Sequence, residues 1–324
     1  MITLSVVVTV VDGGECLRRC LEALDAQAQG ADIEIIVPYD QGDRTIAELA
    51  RRFPRVRFHL VEDLGASAVV SLPSHAHRVI DRCRAVGLAL ATGKIVAMLE
   101  DRGVPAPDWC RQVVAEHDQS HAVIGGAIEN GVDRAMNWAL YYCDLGRYGL
   151  PRPAGPTGFL SDTNVAYKRE PLASVHGSWS EQYQETTVHW ALQARGHTLW
   201  FDPRLMTTQM RADIGWRRAY RERIDNARLF AETRVAAVAP WLRLVFVIGT
   251  PILPLLLLLR VARLMIRQGR SPRQMATALP LSALLVTGTA FGELLGYLAG
   301  PPRAVIEAAP RRAAAGADRG AVKS

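Results

Sequence analysis

The sequence lacks a cysteine framework. Its five cysteines, Cys16, Cys20, Cys83, Cys110 and Cys143, are odd in number and form no C-x-x-C pair. That argues against a disulfide scaffold and against a cysteine-based zinc site. Cys16 and Cys20 lie four residues apart on an expected helix and read as small buried hydrophobes. No basic stretch followed by an apolar core opens the chain, so no secretory signal is expected, and a reducing cytoplasmic setting is. The first strand–helix turn, VVDGGECL, lacks G-x-G-x-x-G, which counts against a nicotinamide-dependent oxidoreductase. Long apolar runs are also missing. The two longest uncharged stretches, Leu244–Leu259 and Met275–Gly292, have 16 and 18 residues, whereas a plain transmembrane helix needs about 20. The basic C-terminal part has no aromatic-basic interleaving of the kind that holds single strands, so no nucleic-acid partner is expected.

The charge is unevenly spread. Residues 1–210 carry 20 Lys/Arg against 25 Asp/Glu, and residues 211–324 carry 18 against 7. A near-neutral globular part is thus joined to a basic, apolar one, which points to an anionic membrane surface. Five arginines, Arg260, Arg263, Arg267, Arg270 and Arg273, separate the two apolar stretches. Two true spans would place this loop outside, against the positive-inside rule. Re-entrant or interfacial segments bent at Pro251 and Pro254 would keep everything basic on one side. The bland alternative is a pair of core helices packed on the globular part. The expected organisation is a globular domain over 1–235, a membrane-associated helical region over 236–300 with segments 244–265 and 275–299, and a disordered basic tail over 301–324.

The globular part reads as strand–helix alternation. Apolar runs at Leu4–Val11, Ile33–Val37, Val56–Val61 and Ile95–Leu99 are separated by helical patterns, as in an α/β protein with a mainly parallel sheet. The stretch Gly87–Trp109 is central. A helix ends at Gly93, a buried strand follows, and Glu100 and Asp101 stand at its carboxyl end before a Gly/Pro loop. Ligands bind at such strand ends in open α/β sheets. Carboxylates there can hold a metal-bound diphosphate, or they are ordinary solvated loop charges. Gly125 and Gly126 mark a strand that a ligand or another backbone approaches closely. Trp138, Tyr141, Tyr142 and Tyr148 read as core more readily than as a ligand platform. Trp179–Arg195 reads as a helix carrying Glu181 and Glu185, and Thr198–Phe201 as the last strand.

Five pieces in order carry a family resemblance: SVVVTVVDGGECLRRCLEAL at 5–24, EIIVPYDQGDRT at 34–45, RAVGLALATGKIVAMLEDRGVPAPDW at 84–109, SDTNVAYKR at 161–169 and WSEQYQETTVHWALQARG at 179–196. Together they resemble the inverting family 2 glycosyltransferases with the GT-A fold, over residues 3–235. GTAFGELLGYLAG at 288–300 is similar to the tail of a membrane-associated branch. The resemblance implies a sugar transfer from a UDP- or GDP-linked donor to a hydroxyl of a lipid-linked or cell-envelope glycan, at the cytoplasmic face of the cell membrane. It implies that Val8 and Val10 lie beside the nucleobase, that Asp40 recognises it, and that Arg84 sits near base or phosphates. Asn164 would belong to a donor- or acceptor-facing loop. Glu185 would be the general base, with Glu181 its rival on the same helical face.

Two departures from the family pattern bear on the metal. The Asp-x-Asp motif falls on Glu100-Asp101-Arg102, and no histidine follows the last strand, where the sequence reads MTTQMRADI. Three outcomes follow. Glu100 and Asp101 hold a divalent cation (Mn or Mg), Arg102 itself neutralises the diphosphate, or the protein is a silent scaffold or nucleotide-sugar-binding relative.

Overall fold

β-Branched runs build the first half of the sheet. The computed structural model describes residues 2–40, 45–62, 73–236 and 238–300; the tail expected over 301–324 lies outside them. The chain begins β1 (Leu4–Thr9), α1 (Gly14–Ala28), β2 (Ile33–Tyr39), α2 (Ile46–Arg52), β3 (Val56–Leu60), α3 (Pro73–Leu90) and β4 (Ile95–Glu100). It continues through β5 (Gly103–Pro105), α4 (Trp109–His117), β6 (Val123–Asn130), α5 (Ala135–Asp144), β7 (Gly155–Thr157), β8 (Asn164–Lys168), α6 (Arg169–Ser174), α7 (Glu185–Ala194) and β9 (Leu199–Gln209). Four helices follow: α8 (Trp216–Ala236), α9 (Pro240–Gly249), α10 (Leu253–Arg267) and α11 (Pro272–Ala299).

The strands form one sheet in the order β3-β2-β1-β4-β8-β6-β9-β5, with β7 paired to β9. The block β3-β2-β1-β4 is parallel throughout. Beyond it the sheet is mixed, because β8 runs antiparallel to both β4 and β6. The class is therefore α/β, and the four strands of its N-terminal block are parallel as expected. Side chains alternate between the two faces. Val6 and Val8 join a core layer with Leu17 and Leu21 of α1 and Val113 of α4, while Val7 joins the opposite layer with Leu88 of α3 and Val188 of α7. Both faces are covered, which is why these strands are apolar runs rather than alternating ones. Each fully buried Leu or Ile stabilises by about 1.5–3 kcal/mol of transfer free energy.

Two compact units make up the chain. One contains the sheet (to Trp216) together with Leu259–Ser282; the other contains Arg217–Leu258 and the described chain from Ala283. In the first unit, Trp138, Tyr141 and Tyr142 pack with Val261, Met265 and Ala278, so these aromatics are core. In the second, Gly288, Gly292 and Gly296 face α8. A Cβ at Gly292 would lie 2.2 Å from the Ile224 carbonyl oxygen, and one at Gly296 2.5 Å from that of Arg228. The spacing of four residues thus lets two backbones touch. The apolar runs Trp241–Arg267 (27 residues, mean hydropathy 2.3) and Pro272–Ala299 (28 residues, mean hydropathy 1.5) are long and apolar enough to cross a membrane by length and composition. A short 3-10 turn at Thr250–Ile252 separates α9 from α10, where Pro251 and Pro254 were expected to bend the chain. Trp241, Leu244, Ile248, Leu255 and Leu256 stay exposed.

Gly126 shows what the paired glycines of β6 are for. A Cβ there would lie 1.7 Å from the Leu205 carbonyl oxygen and 2.5 Å from Asn164 Nδ2, at the point where the β6–β9 register shifts. The approaching group is another backbone rather than a ligand. Gly126→Ala is expected to lower unfolding free energy by about 1–3 kcal/mol through overpacking. Chemical denaturation checks this, and an unchanged midpoint would refute the close approach.

Candidate functional site

The parallel block brings three strand ends to one edge of the sheet: Thr9-Val10 after β1, Tyr39-Asp40 after β2 and Glu100-Asp101 after β4. At this edge Arg84 of α3 is the hub. Its buried guanidinium meets Asp162 at 2.7 Å, Glu100 at 2.8 Å and Asp81 at 3.3 Å. Glu185, the first residue of α7, is half-buried beside this group and close enough for Asp162 and Arg84 to act on its charge. Its carboxylate has no ion pair to another side chain among the described residues and takes a hydrogen bond from its own backbone amide. One turn along α7, His189 Nε2 lies 2.9 Å from the Tyr167 hydroxyl, itself 2.5 Å from that of Tyr183. This buried trio anchors the helix that presents Glu185.

Four carboxyl groups share one buried cation, so they do not all ionise readily. Burial, then the charge of Asp162, lifts Glu185 to about 7. Burial lifts Asp81 to about 6 against the pull of Arg84. Burial and Asp162 also push Glu100 up. A carboxyl group poised near neutrality in a recess is the state a general base requires.

Asp101 serves another purpose. Its Oδ2 accepts the backbone N–H groups of Val11, Asp12 and Gly13 at 3.1, 3.0 and 2.6 Å. The turn that points them inward has Gly13 at φ 65° and Gly14 at φ 48°, a conformation that favours glycine. Burial raises Asp101 to about 7 in spite of these donors. Arg102 reaches back over the same turn and clasps Asp12 with two hydrogen bonds of 2.8 and 2.6 Å. Against the burial that would raise it, Arg102 holds Asp12 below the usual carboxylate range. Arg211, just past β9, adds a second positive charge acting on both Asp12 and Glu100.

At the end of β4 one carboxylate oxygen is left over: Asp101 Oδ1 is buried and has no hydrogen-bond partner among the described residues. Glu100 is held by Arg84, Asp101 Oδ2 is spent on three amides, and Arg102 and Arg211 bring positive charge to the same place. Among the described residues no three His, Cys, Asp or Glu side chains group as a metal site. Glu100 and Asp101 thus have different partners: Glu100 pairs with Arg84, and Asp101 keeps Oδ1 open while Oδ2 holds the turn.

The other expected residues divide. Asp40 stands half-buried at its strand end, near enough to α3 that its charge adds to burial in lifting the Cys83 thiol to about 12. Val8 is wholly inside a core layer, which leaves only the partly buried Val10 to border the edge. Arg84 engages carboxylates through its two terminal nitrogens, while its buried Nε has no partner among the described residues. Asn164 is interior: its Oδ1 accepts from Trp109 Nε1 at 3.0 Å, and its Nδ2 donates to the carbonyls of Ala127 and Leu205 at 3.1 and 2.7 Å. It ties three elements together. Glu181 is no rival to Glu185, because the helix begins only at Glu185 and Glu181 lies exposed before it.

Two residues were missed from the sequence. Asp162 lies in the quoted S-D-T-N piece, two positions before Asn164. The antiparallel register that pairs Leu99 with Asn164 carries its loop to Glu100. Arg211 lies within the very stretch noted for its missing histidine.

No family model matches the chain, and no curated protein matches it. Solved structures do. The chain is similar to the mannosyltransferase PcManGT from Pyrobaculum calidifontis, solved in complex with GDP-Man and Mn2+ (17% identity, 95% of this chain and 76% of that one, TM-score 0.47). It is similar to S. aureus TarS 1–349 (14% identity, 90% of each chain, TM-score 0.46). It is also similar to a mycobacterial protein (16% identity, 69% and 72%, TM-score 0.44).

If Asp101 holds the turn, Asp101→Ala strands three inward N–H groups and is expected to cost about 2–4 kcal/mol. Asp101→Asn keeps an acceptor oxygen and is expected to cost about 1 kcal/mol or less. Equal losses for the two variants in thermal unfolding would contradict this role.

Proposed function

We propose that the chain is an inverting glycosyltransferase that moves a sugar from a UDP- or GDP-linked donor to a hydroxyl of a lipid-linked or cell-envelope glycan. The proposed setting is the cytoplasmic face of the cell membrane, where the exposed apolar faces of α9 and α10 would meet lipid. The observation that carries the reading is Glu185: an uncommitted carboxylate on the first turn of an anchored helix, raised to about 7, at the edge where strand ends converge. The five ordered sequence pieces support the same reading.

In the proposed reaction Glu185 takes the proton of the acceptor hydroxyl. The hydroxyl oxygen bonds to the anomeric carbon while the bond to the diphosphate breaks and its electron pair leaves with the nucleoside diphosphate. Arg102 and Arg211 would meet that leaving charge, since guanidinium binds phosphate oxygens in pairs. Asp40 would contact the base.

Only the ionised form of Glu185 accepts a proton, so transfer is expected to rise with pH around a midpoint of about 7. Glu185→Gln should lower kcat by a factor of about 10²–10⁴, leave UDP or GDP binding nearly unchanged and remove the acidic limb of the pH profile. A variant with wild-type turnover would end the assignment. A labelled nucleotide-sugar panel with membrane extract as acceptor supplies the assay.

A second reading, a silent scaffold or nucleotide-sugar-binding protein, is favoured by the engaged state of Glu100, Asp101 and Arg102. Nucleoside diphosphate binding without turnover of any donor would select it. In both readings binding is expected to survive chelation by EDTA. Arg102→Gln should weaken it about tenfold. Binding that EDTA abolishes and Arg102→Gln leaves intact would overturn the arginine assignment.

A further inference from the structure

The sheet-bearing unit holds a cavity of about 270 Å³, lined among others by Arg147, Arg152, Phe159 and Arg267. Its positive charge is uncompensated. Arg152 donates to the Arg147 carbonyl at 3.2 Å and to the Thr157 hydroxyl at 2.7 Å. Neither it, Arg147 nor Arg267 has a carboxylate partner among the described residues. Elsewhere in the unit Arg18, Arg84, Arg102 and Arg204 are all ion-paired.

Two of the three guanidinium groups are also held in place. Arg147 and Arg152 lie 4.8 and 5.7 Å from the Phe159 ring centre, and Arg152 sits 4.0 Å over Phe201. Stacking of this kind fixes the planes while leaving N–H groups free to bind an anion. Burial and the neighbouring Arg147 charge lower the Arg152 pKa, the strain that a bound anion would relieve. Arg267 closes α10 and ends the apolar run Trp241–Arg267. Ile266 and Leu259 of the same helix are 65% and 43% exposed, with the exposed Arg263 between them.

We infer that Arg147, Arg152 and Arg267 form a binding site for a phosphoryl group, in a cavity of head-group size at the end of an apolar helix. The group is carried either by a lipid or by a soluble phosphate ester. The inference stands apart from the glycosyltransferase reading, because it needs neither Glu185 nor a sugar donor.

The test uses the full chain in detergent. Inorganic pyrophosphate is titrated by calorimetry, and flotation is measured with phosphatidylcholine vesicles with and without phosphatidic acid. Arg267→Gln removes a side chain with no described contact, so it should fold normally. Arg152→Gln is the second variant, and Arg217→Gln/Arg218→Gln on α8 is the control for general basicity. Each cavity variant should weaken binding about tenfold, and the control should not. Pyrophosphate binding that the cavity variants weaken identifies the phosphoryl group alone as sufficient. An effect confined to phosphatidic acid vesicles assigns the site to a lipid head group. No binding of either probe, or equal weakening in control and cavity variants, overturns the site.

Discussion

One buried guanidinium governs the edge of the sheet. Arg84 projects from α3 into a space bounded by the end of β4, the loop before β8 and the start of α7, and three carboxylates close on it. An arginine so placed is tolerated only because it is paired, and removing it would leave buried negative charge uncompensated at a cost of about 3–5 kcal/mol. The same pairing leaves a surplus of carboxyl groups over cations. Burial, with the charge of Asp162 added to it, raises Glu185 and Asp81 and keeps a proton acceptor poised near neutrality. Structure and chemistry here share one electrostatic origin.

The second constraint is the turn after β1. Two left-handed glycines aim successive amides at Asp101, and Arg102 secures the turn from outside through Asp12. Glu100, Asp101 and Arg102 are consecutive yet do three different things: one joins the Arg84 cluster, one holds a loop, and one brings positive charge to the strand ends. Beside Glu100 and Asp101 the chain also gathers Arg102 and Arg211. Arg102 is itself paired with Asp12, so its charge is fixed in place at the turn.

The C-terminal helices are built on a different principle. Glycines every fourth residue in α11 bring its backbone against α8, which economises on side-chain packing and leaves the large apolar residues of α9 and α10 facing outward. Trp241, Leu244, Ile248, Leu255 and Leu256 are exposed, and arginines gather where the apolar run ends.

Much of this was legible in the chain. The β-branched runs and the alternating helical patterns gave the parallel block, because a strand covered on both faces must be apolar throughout. Glycine pairs marked the turn and the close backbone approach. The charge asymmetry marked the apolar, basic C-terminal part. Glu185 was legible only through resemblance, since a helix-start glutamate is ordinarily a surface charge. What the sequence did not carry was contact between distant segments. Asp162 reaches Glu100 through an antiparallel register, Asn164 is turned inward by Trp109, and Arg211 arrives from the far end of β9. The sequence by itself determined the elements and the covered faces, since local periodicity and backbone preference act within a few residues. Only the tertiary structure decided which charges meet, because Coulomb energy, burial and pKa depend on distances that neighbouring residues do not set.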